Sequence, residues 1–79
     1  MRADGKKRFQ QQRILVLGMA KSGFVAAQVL QRLGAQVVVN EKKPREQVPE
    51  ASQLEAKGIE VVCGGHPEWL YQQPFDLVV

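Results

Sequence analysis

Apolar residues gather in four short runs separated by polar, proline- and glycine-bearing stretches. Ile14 to Leu17 shows no polar alternation, which marks a strand buried on both faces of a parallel sheet. Gln36 to Val39, Ile59 to Cys63 and Phe75 to Val79 read as three further strands. Between the first two, Val25, Ala26, Val29, Leu30 and Leu33 recur at helical spacing. This predicts an amphipathic helix with those five residues inward, capped by the Ser22 hydroxyl and ended by Gly34. A second helix is expected from Pro49 to about Lys57, with Val48, Ala51 and Leu54 inward, before Gly58 stops it. The charged stretch from Asn40 to Pro49 reads as a loop. Gly64 and Gly65 turn the chain into a short helical segment at Pro67 to Tyr71. Strands alternating with helices predict an α/β fold, a Rossmann-like parallel sheet with right-handed crossovers and helices on both faces.

The 79 residues suit one small domain, expected over residues 13–79, preceded by a polar extension over residues 1–12 that is expected to be disordered, with Phe9 against the first strand. An apolar strand running to the last residue leads to the expectation of an amino-terminal piece of a longer protein. The net charge is +3. Its location matters: Arg2, Lys6, Lys7, Arg8 and Arg13 against Asp4 leave +4 in the first thirteen residues, and six basic against seven acidic residues leave −1 in the remainder. The basic excess therefore belongs to the extension, and no nucleic-acid groove is expected across the fold. No stretch reads as a signal peptide or a membrane span, so a cytoplasmic location is the default expectation. The single Cys63 has no internal disulfide partner and agrees with a reducing compartment.

Chemistry concentrates where the first strand meets the first helix. The sequence Gly18-Met19-Ala20-Lys21-Ser22-Gly23 fails as a P-loop, because Phe24 and Val25 stand where Lys and Ser or Thr are required. It fits the dinucleotide fingerprint G-x-G-x-x-G at Gly18 and Gly23 but carries Ala20 in the middle, where glycine lets a pyrophosphate approach the backbone. Glu41, eighteen residues after Gly23, stands at the tip of the second strand, where a carboxylate can accept from a ribose hydroxyl. The alternative is that the glycines serve only a tight turn and that Glu41 is a solvated loop residue. Lys42 and Lys43 add cations on the same rim, and Lys21 stands at the phosphate end. His66 reads as a turn residue, Cys63 as a small core residue, Trp69 and Tyr71 as cover for the sheet edge, and Asp76 as a solvated residue at the start of the fourth strand. No metal site and no catalytic machinery are visible. From these residues alone NAD is the first ligand to name, as in a regulatory sensor module or the cofactor half of a dehydrogenase.

The segments VLGMAKSG, VVVNEKKP, PEASQLEAKGIEVVCGGHPEWL and FDLVV, in this order and spacing, resemble the amino-terminal domain of the bacterial Mur ligases over residues 13–79. The resemblance implies a cytoplasmic enzyme of peptidoglycan synthesis, active in cell division and cell shape. That enzyme would use ATP and Mg2+ to join D-glutamate to UDP-N-acetylmuramoyl-L-alanine through an acyl phosphate. It implies that this domain holds the UDP moiety, with Gly18, Ala20, Lys21, Ser22 and Gly23 at the diphosphate. Glu41, Lys42 and Lys43 would lie at the uracil and ribose, and Gly64 on the far side. Family members often carry Asp in place of Glu41 and Arg in place of Lys43. The ATP, metal and D-glutamate sites would lie beyond Val79, so the fragment itself is expected to need no cofactor and to bind without ligating. The family thus moves the expected ligand from NAD to a UDP-sugar.

Overall fold

The computed structural model describes residues 10–79. The strands are β1 (Arg13–Leu17), β2 (Gln36–Glu41), β3 (Glu60–Cys63) and β4 (Leu77–Val78), and the helices are α1 (Lys21–Arg32), α2 (Ala51–Glu55) and α3 (Glu68–Tyr71), with a 3-10 turn at Arg45–Gln47. All strands run parallel in the order β3-β2-β1-β4. Ile14 pairs with Val37 on one side and Leu77 on the other, which makes β1 central, as its unbroken apolar run requires. The fold is the expected Rossmann-like α/β arrangement.

Alternation along the strands divides the core into two layers. Ile14, Val16, Val37, Val39 and Val61 face α1 and α2, which add Ala27, Ala51 and Leu54 with Phe24 and Leu30 packed against them. Leu15, Val38 and Val62 face the opposite way, beneath Leu70 of α3 and Phe75. Each sheet face therefore carries helix, but α3 is one turn long and covers much less than the pair opposite.

Several boundaries and faces differ from expectation. The inward side of α1 is Gly23, Phe24, Ala27 and Leu30, while Val25 and Val29 stand half exposed, at 50% and 43%. Both stripes satisfy helical spacing, and the choice is made at the first turn of the helix. A Cβ at Gly23 would overlap the Gly18 carbonyl, so this side of α1 lies against the backbone leaving β1 and fixes the rotation of the whole helix. Ser22 does not cap α1: the helix starts at Lys21 with Ala20 at the cap and no side-chain bond there. β2 extends two residues past Val39, so Asn40 and Glu41 belong to the strand and pair with Val62 and Cys63. The second helix keeps Val48, Ala51 and Leu54 buried as expected, but only Ala51–Glu55 is α-helical, with single hydrogen-bonded turns on either side. Trp69 is 53% exposed and Leu70 is the residue that covers the sheet.

At the amino-terminal side, Gln11 donates to the Gly34 carbonyl at 3.0 Å and the Gln12 carbonyl accepts from Gln36 at 2.7 Å, so these two residues are tied to the α1–β2 connection. Of the extension over residues 1–12 that is expected to be disordered, residues 1–9 lie outside the described residues, and with them the expected packing of Phe9 on β1.

The approach at Gly23 yields a test of the fold. Gly23→Ala is expected to lower stability by about 1–3 kcal/mol, and Gly23→Val by more, read as a fall in the urea midpoint at unchanged slope. An unaltered midpoint would mean that the turn is placed differently.

Candidate functional site

β1 ends at Leu17 and the chain must reverse within three residues to start α1 over the same sheet. Gly18, at φ +96°, makes that bend in a region costly for side chains, and its amide donates to the Asn40 carbonyl of β2 at 2.8 Å. The next amide, of Met19, donates to Glu41 Oε1 at 2.7 Å, and the other carboxylate oxygen accepts from the Lys43 amide at 2.9 Å. Glu41 is therefore neither a solvated loop residue nor a free carboxylate. It is buried at 6% exposure and joins the glycine turn to the loop after β2. The Lys43 amide holds its carboxyl below the usual carboxylate range. Burial pushes the other way, and the Met19 amide and the ammonium groups of Lys43 and Lys42 reinforce the lowering.

The first backbone bond of α1 runs from Phe24 to the Ala20 carbonyl, so the amides of Lys21, Ser22 and Gly23 have no acceptor inside the helix. No acidic residue lies in that first turn. The positive end of the α1 dipole and the Lys21 side chain thus stand together at the sheet's carboxyl edge.

Two hollows flank this turn. A cleft of about 570 Å³ lies on the β2 side and is bounded by Gly18, Ala20, Lys21, Glu41, Lys42 and Lys43, with Leu17, Met19, Asn40, Gln47, Val48, Glu50 and His66 completing its wall. A smaller hollow of about 210 Å³ lies toward β4, between Gly18, Ala20, Ser22, Gly23, Ala26 and Val79. Of the residues singled out from the sequence, six meet in the larger cleft, and Ser22 and Gly23 face the smaller one. Gly64 borders neither; its amide donates to the carbonyls of Glu41 at 3.0 Å and Lys43 at 2.9 Å, which ties the end of β3 to the rim loop.

Sequence reasoning missed Asn40, which it placed in a loop, and gave His66 only a turn role. Asn40 is fully buried, its amide group donating to the carbonyls of Val62 at 3.1 Å and Gly65 at 2.8 Å. Its side-chain oxygen meets His66 Nδ1 at 2.6 Å and accepts from the Tyr71 hydroxyl. The signal that could have found it is an amide residue continuing an apolar strand toward a charged rim. Asp76 is exposed yet accepts from the Arg13 amide at 2.8 Å, closing the start of the β1–β4 pair. Cys63 packs beside the larger core layer, and burial pushes its thiol up, away from reactivity. Among the described residues no group of three His, Cys, Asp or Glu could hold a metal ion, and no helix is long and apolar enough to cross a membrane.

No family model matches the chain. Over 71 residues it is 59% identical to the UDP-N-acetylmuramoylalanine--D-glutamate ligase of Geobacillus sp. (strain WCH70) and 59% identical to that of Geobacillus kaustophilus (strain HTA426). It is 55% identical to that of Bacillus thuringiensis (strain Al Hakam). Each match takes in 90% of this chain and 16% of the relative, so the chain spans about a sixth of the length of the curated relatives it matches. The resemblance to the Mur ligases read from its motifs is borne out.

Two stability outcomes follow from this geometry. Glu41→Gln is expected to cost about 1.5–3 kcal/mol at neutral pH, since one of the two amides loses its acceptor and the other is left with an uncharged one. Because the folded carboxyl is held low, its contribution is complete above the ordinary carboxylate range and is lost as the pH falls through the folded value. Urea titrations over a pH series should therefore show the gap between the two proteins closing on acidification. Ser22→Ala, with no cap to remove, should change stability by no more than about 0.5 kcal/mol.

Proposed function

We propose that this chain, a homologue of UDP-N-acetylmuramoylalanine--D-glutamate ligases, holds the uridine diphosphate end of the substrate for such a ligase. The observation that carries the reading is the glycine turn, where the free amides at the start of α1 and Lys21 stand between two hollows at the sheet's carboxyl edge. A helix N-terminus with unpaired amides attracts phosphate, and in open α/β sheets ligands lie at this edge. The diphosphate would rest on the amides of Lys21, Ser22 and Gly23 with the Lys21 ammonium beside it. The nucleoside would occupy the cleft beside Glu41, Lys42 and Lys43, and the sugar would extend toward β4.

The larger protein would join D-glutamate to UDP-N-acetylmuramoyl-L-alanine in the cytoplasm, as a step of peptidoglycan synthesis. ATP and Mg2+ would supply phosphoryl activation of the carboxyl group there. The described residues of this chain do not fit that role: they form no P-loop and no carboxylate cluster suited to Mg2+. The chain's own work would be to bind and orient, with Glu41 fixing the turn and Gly64 fixing the rim.

NAD is the competing ligand. Ala20 weighs against it, since a methyl group stands where a dinucleotide's pyrophosphate would come closest to the backbone. Calorimetric titration of the chain with UDP and with NAD is expected to show tighter binding of UDP; tighter binding of NAD would overturn the reading. Lys21→Ala should weaken UDP binding about tenfold, in line with loss of a charged hydrogen bond worth about 1.5 kcal/mol.

A further inference from the structure

The buried Asn40 fixes more than the end of a strand. Its amide nitrogen faces two backbone carbonyls, of Val62 and Gly65, which only accept, so the orientation of the amide is determined and Oδ1 is an acceptor. His66 Nδ1 lies 2.6 Å from that oxygen, a distance at which the nitrogen must carry the proton. The Tyr71 hydroxyl donates to the same oxygen, and its own oxygen lies 3.1 Å from Nδ1. The Tyr71 ring meets the imidazole edge-on at 6.2 Å and restrains its plane. In the neutral ring the proton is therefore on Nδ1, and Nε2 is left with a lone pair.

That lone pair matters because of what else surrounds the cleft. Lys21, Lys42 and Lys43 are donors, and both oxygens of Glu41 already serve backbone amides; Gln47 and Glu50 also carry acceptors on the wall, but among the described residues no side-chain hydrogen bond fixes either of them, whereas His66 is held in one orientation. A nucleoside also carries donors of its own, an imide N–H on the base and hydroxyls on the ribose. We propose that His66 is a specificity-determining residue of the cleft, held by Asn40 and Tyr71 so that Nε2 accepts a hydrogen bond from the bound nucleoside. The inference rests on the cleft holding a nucleoside diphosphate and adds which side chain reads the nucleoside half.

His66 is the only histidine of the chain, so its ring can be read without assignment by long-range proton–nitrogen NMR correlation. The unliganded chain at a pH where the ring is neutral is expected to show the proton on Nδ1, and a proton on Nε2 overturns the inference. By calorimetry, His66→Ala should weaken UDP binding about 5- to 10-fold and leave pyrophosphate binding unchanged. His66→Gln, whose amide oxygen can stand near the Nε2 position, should recover most of the loss. N3-methyl-UDP and the 2′- and 3′-deoxy forms of UDP then identify the donor. One of them should bind the unaltered chain more weakly than UDP but bind His66→Ala as UDP does. If none does, or if UDP and pyrophosphate weaken equally in His66→Ala, the residue only supports the fold and the inference fails. UDP binding unaffected by His66→Ala overturns this inference alone, whereas no binding of UDP to the unaltered chain overturns the functional reading with it.

Discussion

A carboxylate inside a protein persists only where hydrogen bonds replace the water it has lost, and the Glu41 side chain meets that condition with two backbone amides from different segments. One oxygen fixes Met19, in the middle of the glycine turn, and the other fixes Lys43, on the loop leaving β2. Among the described residues, the one other backbone bond that ties the turn to this end of β2 runs from Gly18 to the Asn40 carbonyl. Everything proposed for the site depends on this clamp. It spends the Met19 amide inside the protein, and it sets where the amides of Lys21, Ser22 and Gly23, which open α1, present themselves.

The same region decides how α1 lies. Gly23 packs against the Gly18 carbonyl, and with that contact made, Phe24, Ala27 and Leu30 must face the sheet while Val25 and Val29 turn outward. Ala27, with no exposed surface, is small enough for helix and strand to close together. Packing and the geometry of the proposed site are thus one arrangement: the side of α1 that touches the sheet is the side whose first turn bears on the end of β1. A substitution that rotates the helix would disturb the core and the site together.

Much of this was legible in the residues. Apolar runs located the strands, because a sheet covered on both faces needs no polar alternation, and the spacing of Gly18, Gly23 and Glu41 located the turn and its acidic neighbour. What escaped was whatever depended on contacts between distant segments. Two helical stripes competed on α1, and hydrophobicity alone favoured the valines over Ala27, although the close approach at Gly23 selects the smaller residue. Ser22 has the composition of a cap but lies one residue inside the helix. Asn40 and His66 are polar residues beside a charged stretch, and nothing in their spacing reveals that a carbonyl from β3 and another from the following turn orient the amide on which the imidazole rests.

Ala20 shows how a departure from a motif can be informative. A glycine is obligatory where the backbone enters the left-handed region or where a side chain would collide, and Ala20 meets neither condition: its φ is −58° and its ψ 165°, an ordinary extended conformation, and it stands exposed. The fold therefore does not require glycine here, in contrast to Gly18 and Gly23. The methyl group acts only on what approaches from outside. A pyrophosphate drawn down onto the turn, as in dinucleotide binding, would meet it, whereas a diphosphate standing farther along α1, at the amides of Lys21 to Gly23, would clear it. On that ground the alanine belongs to the specificity of the proposed site rather than to the stability of the turn.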